Sequence, residues 1–286
     1  MPHSLLSRFQ GILCGGFLGE KLLEGETDFL HTKMRLAMLK DFLPSENIQN
    51  CILPREINSS SSAEIILLTL PIIVFFHESQ SLLIERLQQI GQLWQLEELV
   101  LQDLLLWGKS ISLVLREKLN PEELLSQLVN LESETPLAGK LNLVERHLRN
   151  SQSLEQLLAQ LFHQGESKSV GQSENILLAL YCFSSMPEDF ALSVKRAINC
   201  PNPLLTASLT GVLAGAYNGV SGIPLSWRLA AQKHPLFQES YQMAKQMFNH
   251  WVGIYQPSQM EVAPWIACHS VGIIQARSSL KIISQC

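Results

Sequence analysis

The sequence predicts an all-α chain, read as one compact domain over residues 1–286 with 254–286 as a C-terminal extension. Three observations carry this. Apolar residues, leucine foremost, recur at three- and four-residue intervals, and period-two alternation is rare. Glycine recurs every fourth residue in two separate segments, as Gly11, Gly15 and Gly19 and again as Gly211, Gly215 and Gly219. That spacing lines one face of a helix. Finally, 46% of the residues are hydrophobic and only 16% are charged, which suits a large core.

Each glycine inside a helix costs about 1 kcal/mol relative to alanine. Two striped helices that accept this cost are expected to pack closely against each other or against a shared third helix.

The elements follow in order. A first helix spans 5–23, and a polar turn holds Gly25 and Thr27. A second helix over 32–42 ends at Pro44-Ser45. Residues 47–62 form a loop with Pro54 and the serines Ser59 to Ser62, any of which can cap the next helix. That helix, 63–76, is apolar nearly all round and therefore central. Residues 79–119 read as leucine-rich helix broken near Gly91 and near Gly108. Pro121 with Glu122 and Glu123 marks a helix start. Helices over 141–149 and 153–162, a polar loop at 164–173, and helices over 174–184 and 188–198 come next. The second glycine stretch, 199–228, opens on Pro201 and Pro203, runs as helix and stops at Ser221-Gly222-Ile223-Pro224. Residues 235–253 form a further helix, and 271–283 a last helix or a strand.

Composition excludes several classes. The net charge of −5 and the absence of a lysine or arginine cluster argue against a nucleic-acid surface. The longest apolar run, 65–76, falls short of the ~20 residues that a membrane span needs. Six cysteines without CxxC spacing, and no cleavable signal segment, predict reduced thiols in a cytoplasm.

Two stretches carry a family resemblance. Arg8-Phe9-Gln10-Gly11, continuing through Gly15 and Gly19 to Glu20, resembles the glycine-striped opening helix of the ADP-ribosylglycohydrolase family. Gly211 to Trp227, with Gly215-Ala216, Gly219 and Ile223-Pro224 in place, resembles that family's late GxxxGAxxGxxxIPxxW signature. Ser60–Pro71 is similar to a worn form of its glycine-serine loop and proline-containing apolar helix, and 173–180 followed by 190–199 matches the order leading into the late signature. The resemblance implies a single orthogonal all-α domain. It also implies a cleft with two magnesium ions that cleaves ADP-ribose from a modified side chain or related acceptor, a chemistry for which hard cations need several carboxylate oxygens.

The residues depart from that chemistry. The family's late Asp-x-Asp-Thr/Ser metal motif falls here on Asn202, Leu204 and Leu205, and no acidic residue lies between Cys200 and Trp227. The nearest match to its early Thr-Asp-Asp-Thr motif is Thr27-Asp28-Phe29-Leu30. Glu20 stands where the family often has aspartate, and its plain reading is an exposed helix-end glutamate. The other aspartates, Asp41, Asp103 and Asp189, read as helix residues that do not rescue the site. The candidate cleft positions are thus Glu20, Thr27, Asp28 and Asn202, with no metal-ligand set and no cofactor expected. The resulting expectation is a degenerate member that has lost the magnesium pair and holds an ADP-ribose-like ligand or a protein partner. Two alternatives stand beside it: a hydrolase rearranged around Glu20, Asp28 and a further glutamate, and an interaction protein docking through 79–119.

Other features read as structural. The eight histidines lack HxxxH or HExxH spacing. Cys200, at the start of the glycine helix, is the best nucleophile candidate, with a buried structural cysteine the preferred reading. Ser59–Ser62 could hold a phosphate, with plain capping preferred. The five tryptophans read as core or rim.

Overall fold

The computed structural model of the chain describes residues 3–22, 28–116, 121–131, 137–163, 173–255 and 273–274. They form the all-α fold expected. The helices are α1 Leu5–Lys21, α2 Leu30–Phe42, α3 Ser62–Phe75, α4 Gln80–Leu93, α5 Glu98–Leu115, α6 Leu124–Leu131, α7 Leu137–Arg149, α8 Leu154–His163, α9 Glu174–Ser185, α10 Phe190–Ala197, α11 Pro203–Asn218, α12 Leu225–Gln232 and α13 Pro235–Val252. Short 3-10 turns stand at Ile48–Asn50, Pro121–Glu123 and Val220–Gly222. The strands β1 Ile254–Tyr255 and β2 Ile273–Ile274 pair antiparallel. The rest of the C-terminal region, where a last helix or strand was expected, lies outside the described residues.

The glycine stripes meet as the spacing predicts. A methyl on Gly11 would run into the carbonyl of Gly215, whose carbon is 2.8 Å away. A methyl on Gly15 would do the same at Gly211, again with the carbon at 2.8 Å. Gly19 lies against Ala207 and the Cα of Ser208, 2.5 Å from where its methyl would be. As one number rises by four the other falls by four, so α1 and α11 cross antiparallel and in step, backbone on backbone. Both are buried almost throughout, α1 without interruption from Arg8 to Glu20.

The stripe ends differently from the expectation. Gly219 is not part of α11 but its terminator, at φ 61° and ψ 178°. Side chains do not reach that backbone region, and glycine does. A methyl there would also touch the Ser7 hydroxyl.

Around this pair the other elements wrap. α3 is buried on all sides, as an apolar helix without a polar face must be. α2, α4, α5, α11 and α13 all pack on it. Asp189 caps α10 by accepting from the Leu192 N–H at 2.9 Å, one step outside the helix where it was expected inside. α12 was not anticipated from the sequence, where its eight residues hide between two prolines.

The long leucine-rich segment is one helical hairpin, and its break needs correcting. α4 ends at Trp94 and the chain turns through Gln95 at φ 52°. Gly108 does not break anything: it lies inside α5, where a methyl would sit 2.7 Å from Leu87 Cδ1. It is a contact glycine between α4 and α5. The leucines of this segment are spent inside the chain, with Leu83, Leu87, Leu104, Leu106 and Leu115 buried and Leu93 and Leu99 exposed. Among the described residues no helix is long and apolar enough to cross a membrane.

The glycine contacts give a paired test. A methyl added at Gly139 on α7 would have nothing within 4 Å of it. Gly139→Ala is expected to raise unfolding stability by about 0.5–1 kcal/mol through helix propensity alone. Gly15→Ala gains the same propensity but must push two backbones apart, and is expected to lose about 1–3 kcal/mol net or more. Chemical denaturation of the two variants checks the opposite signs.

Candidate functional site

The positions aligned with the late metal motif lie at the N-terminal end of α11. Asn202 is the N-cap there, its side-chain oxygen accepting from the Leu205 N–H at 3.4 Å. The Leu204 carbonyl accepts from the Ser208 hydroxyl at 2.7 Å, and Leu205 is buried in the core. One turn on, the buried Thr206 hydroxyl donates to the Asn175 side-chain oxygen of α9 at 3.3 Å.

This bond draws α9 beside α11, and a second cluster draws in α3. The Asp103 carboxylate, 1% exposed on α5, accepts from the Ser62 hydroxyl at 2.6 Å and from the Ser173 hydroxyl at 2.9 Å. Ser62 opens α3 and Ser173 precedes α9. Two helix N-termini, those of α3 and α9, therefore meet at one buried acid, and the Thr206–Asn175 bond ties the first turn of α11 to that of α9. The expected capping role of the serines is not what they do. The N-cap residues Ser61 and Ser173 make no side-chain bond to their own helices, and the Ser62 hydroxyl is turned to Asp103. Two helix starts thus keep first-turn N–H groups that their own cap side chains leave unbonded, the arrangement that suits an anion.

Burial pushes the Asp103 carboxyl up to about 6, while the two serine bonds and the charge of Lys140 pull it down. Desolvation wins because hydroxyl donors return only part of the hydration that a carboxylate loses.

Glu20 has a site of its own. It is not the exposed helix-end residue expected but is 1% exposed, with Thr32 of α2 bonded to it and the neighbouring Gly19 lying on Ala207 and Ser208 of α11. Its Oε1 accepts from the Thr32 hydroxyl at 2.8 Å, and Thr32 in turn accepts from Arg35 Nη2 at 3.1 Å. Burial raises the Glu20 carboxyl, with Arg35 and Thr32 opposing. His31 beside it is lowered to about 4, by burial first and the Arg35 charge second.

The four sequence candidates are not gathered by shared bonds. Asp28 is exposed and pairs with Lys33. Asn202 caps its helix, Glu20 bonds to Thr32, and Thr27 lies outside the described residues. Cys200 is buried, as is Cys182, which fits a structural thiol. Among the described residues no three His, Cys, Asp or Glu side chains stand together as metal ligands would.

A magnesium pair does not fit these residues. At the late motif two positions are leucine, and the oxygen of the third is occupied by a backbone N–H. The Asp28 carboxylate is taken by a lysine, and Glu20 already faces a guanidinium. Magnesium sites need several anionic oxygens converging on one point.

Asp103, Ser173, Thr32 and Arg35 were not singled out from the sequence as site residues, and Ser62 was weighed only among the serines Ser59–Ser62 that could hold a phosphate. One signal was available for Asp103. It stands on the apolar stripe of α5 with Val100, Leu104, Trp107 and Ile111, where an acid must be partnered.

The ADP-ribosylglycohydrolase family matches residues 29–256. The chain belongs to the ADP-ribosylglycohydrolase family. The match takes in the late signature and the α3 region, while the α1 stripe with Glu20, and Asp28, stand before it. No curated protein matches the chain.

Asp103 gives a signed pH test. Its folded-state pKa lies above the ordinary 3.8, so its contribution to stability is full below about 4 and is lost as the pH rises through about 6. An acid so raised withholds on the order of 3 kcal/mol at neutral pH. Asp103→Asn is therefore expected to gain on the parent by up to about 3 kcal/mol between pH 4 and 7, read by urea unfolding at each pH. A gap that does not change with pH contradicts the assignment.

Proposed function

We propose that this chain is a non-hydrolysing member of the ADP-ribosylglycohydrolase family that works by recognition, binding an ADP-ribose-like ligand without magnesium. The carrying observation is the first turn of α11. There the family's metal motif has become an N-cap asparagine and two leucines, one of them buried. A cleft so altered keeps its scaffold, because the glycine crossing behind it is intact. It lacks the charge that divalent cations require.

Support for ligand recognition comes from the helix ends. The N-termini of α3, α9 and α11 are brought together by the Ser62–Asp103–Ser173 and Thr206–Asn175 bonds. Backbone N–H groups at such ends bind phosphate oxygens without any metal. A pyrophosphate-bearing ligand suits that arrangement better than an uncharged one.

Calorimetric titration of ADP-ribose, with and without magnesium, tests the proposal. The expected result is binding whose affinity magnesium leaves unchanged, together with no release of ADP-ribose from a modified protein. Magnesium-dependent release that Asp28→Ala abolishes would instead establish a working hydrolase with a rearranged site. Absence of any ADP-ribose binding would favour an interaction protein.

A further inference from the structure

Arg35 is an unusual residue to find fully buried. It is 0% exposed on α2, with its guanidinium lodged between α2 and α1. The space for it exists because residue 16 is glycine. A methyl there would lie 2.7 Å from Nη1 and 3.3 Å from Cζ. Nη2 donates to the Leu13 carbonyl at 3.3 Å and to Thr32 at 3.1 Å, while Nε and Nη1 have no hydrogen-bond partner among the described residues.

A buried guanidinium with so few bonds is costly unless a negative charge faces it. The carboxylate acting on it is Glu20, reached through the Thr32 hydroxyl. Glu20 stands close to the start of α11. Gly19, its neighbour in α1, lies on Ala207 and Ser208, one turn past the α11 positions where the metal motif would be. In so dry a place the attraction between the pair is strong, and a second cation brought to Glu20 would be repelled by the first.

We infer that Arg35 is a built-in counter-charge for Glu20, which takes the electrostatic part that metal ions would play in this cleft and keeps a divalent cation out. This rests on the reading that the magnesium pair has been lost. The role joins residues that look unrelated. Gly16 makes room for the guanidinium, Thr32 links it to the acid, and the chain itself supplies the positive charge. A cation fixed by the fold needs no free metal for the cleft to form.

Thermal unfolding with a double-mutant cycle tests the inference. For the parent chain, about 10 mM magnesium is expected to shift the midpoint by less than about 1 °C, since a ligand without a site adds no stability. Arg35→Met strands Glu20 and is expected to lower the midpoint by roughly 10 °C. In Glu20→Gln/Arg35→Met no charge is stranded, and much of that loss is expected to return. If Arg35→Met does not yield folded protein, Arg35→Gln, equally uncharged, made alone and together with Glu20→Gln, gives the same cycle. Two results overturn the inference: a dose-dependent rise of the parent midpoint with magnesium, or a cost at position 35 that is the same with and without the Glu20→Gln change. The second removes only the Glu20–Arg35 coupling. Magnesium-dependent hydrolysis, by contrast, would remove the reading on which it rests.

Discussion

The crossing of α1 and α11 is the constraint on which the rest depends. Gly11, Gly15, Gly211 and Gly215 bring two backbones to a distance that no side chain permits. Each glycine weakens its own helix by about 1 kcal/mol. The return is a long face of close dispersion contact between two buried helices. Because the two stripes are in step, the crossing also fixes which residues stand beside which. Gly19 lies on Ala207, so the α1 terminus with Glu20 is held against the start of α11 with Asn202, Leu204 and Leu205. This register sets the end of α1 beside the start of α11.

With the ends of α3, α9 and α11 held there, the polar groups are compensated within the chain. Asp103 takes two serine hydroxyls, Glu20 takes Thr32 and the nearby Arg35 charge, and Asn202 closes its own helix. Each arrangement is local in space and built from side chains on neighbouring helices. They account for why a cleft at which carboxylates would otherwise need metal ions can pack around buried acids. They also leave the α3 and α9 starts without side-chain caps, which is the basis for proposing an anionic ligand at this end.

Much of the fold was legible in the sequence because it is carried by periodicity. Glycine every four residues announced the crossing, and the unbroken apolar run announced the buried α3. The errors fall where one residue type has two uses. Gly108 looks like a helix breaker and is a contact residue against Leu87, while Gly219 looks like the last of a stripe and is a terminator. Of the site, the loss of acidic residues at Asn202, Leu204 and Leu205 was legible, since it needs only a spacing. The Glu20–Thr32–Arg35 chain was not, because Thr32 and Arg35 are ordinary surface types on a helix whose apolar pattern is weak. Their burial comes from a neighbouring glycine at 16 whose purpose shows only in three dimensions. Asp103 stood on an apolar stripe, but its partners at 62 and 173 are far away in sequence.

Native-state hydrogen exchange, followed at the amides of α1 and α11 with and without magnesium, tests the central claim most directly. The account predicts that amides between Phe9 and Leu18 and between Leu205 and Ala216 exchange only through global unfolding, as a buried, closely packed pair should. It further predicts that magnesium leaves the first turn of α11 unchanged. Faster, local exchange in either helix would contradict the crossing as the organising contact, and slowed exchange at Leu204 to Thr206 in magnesium would contradict a cleft that holds no metal.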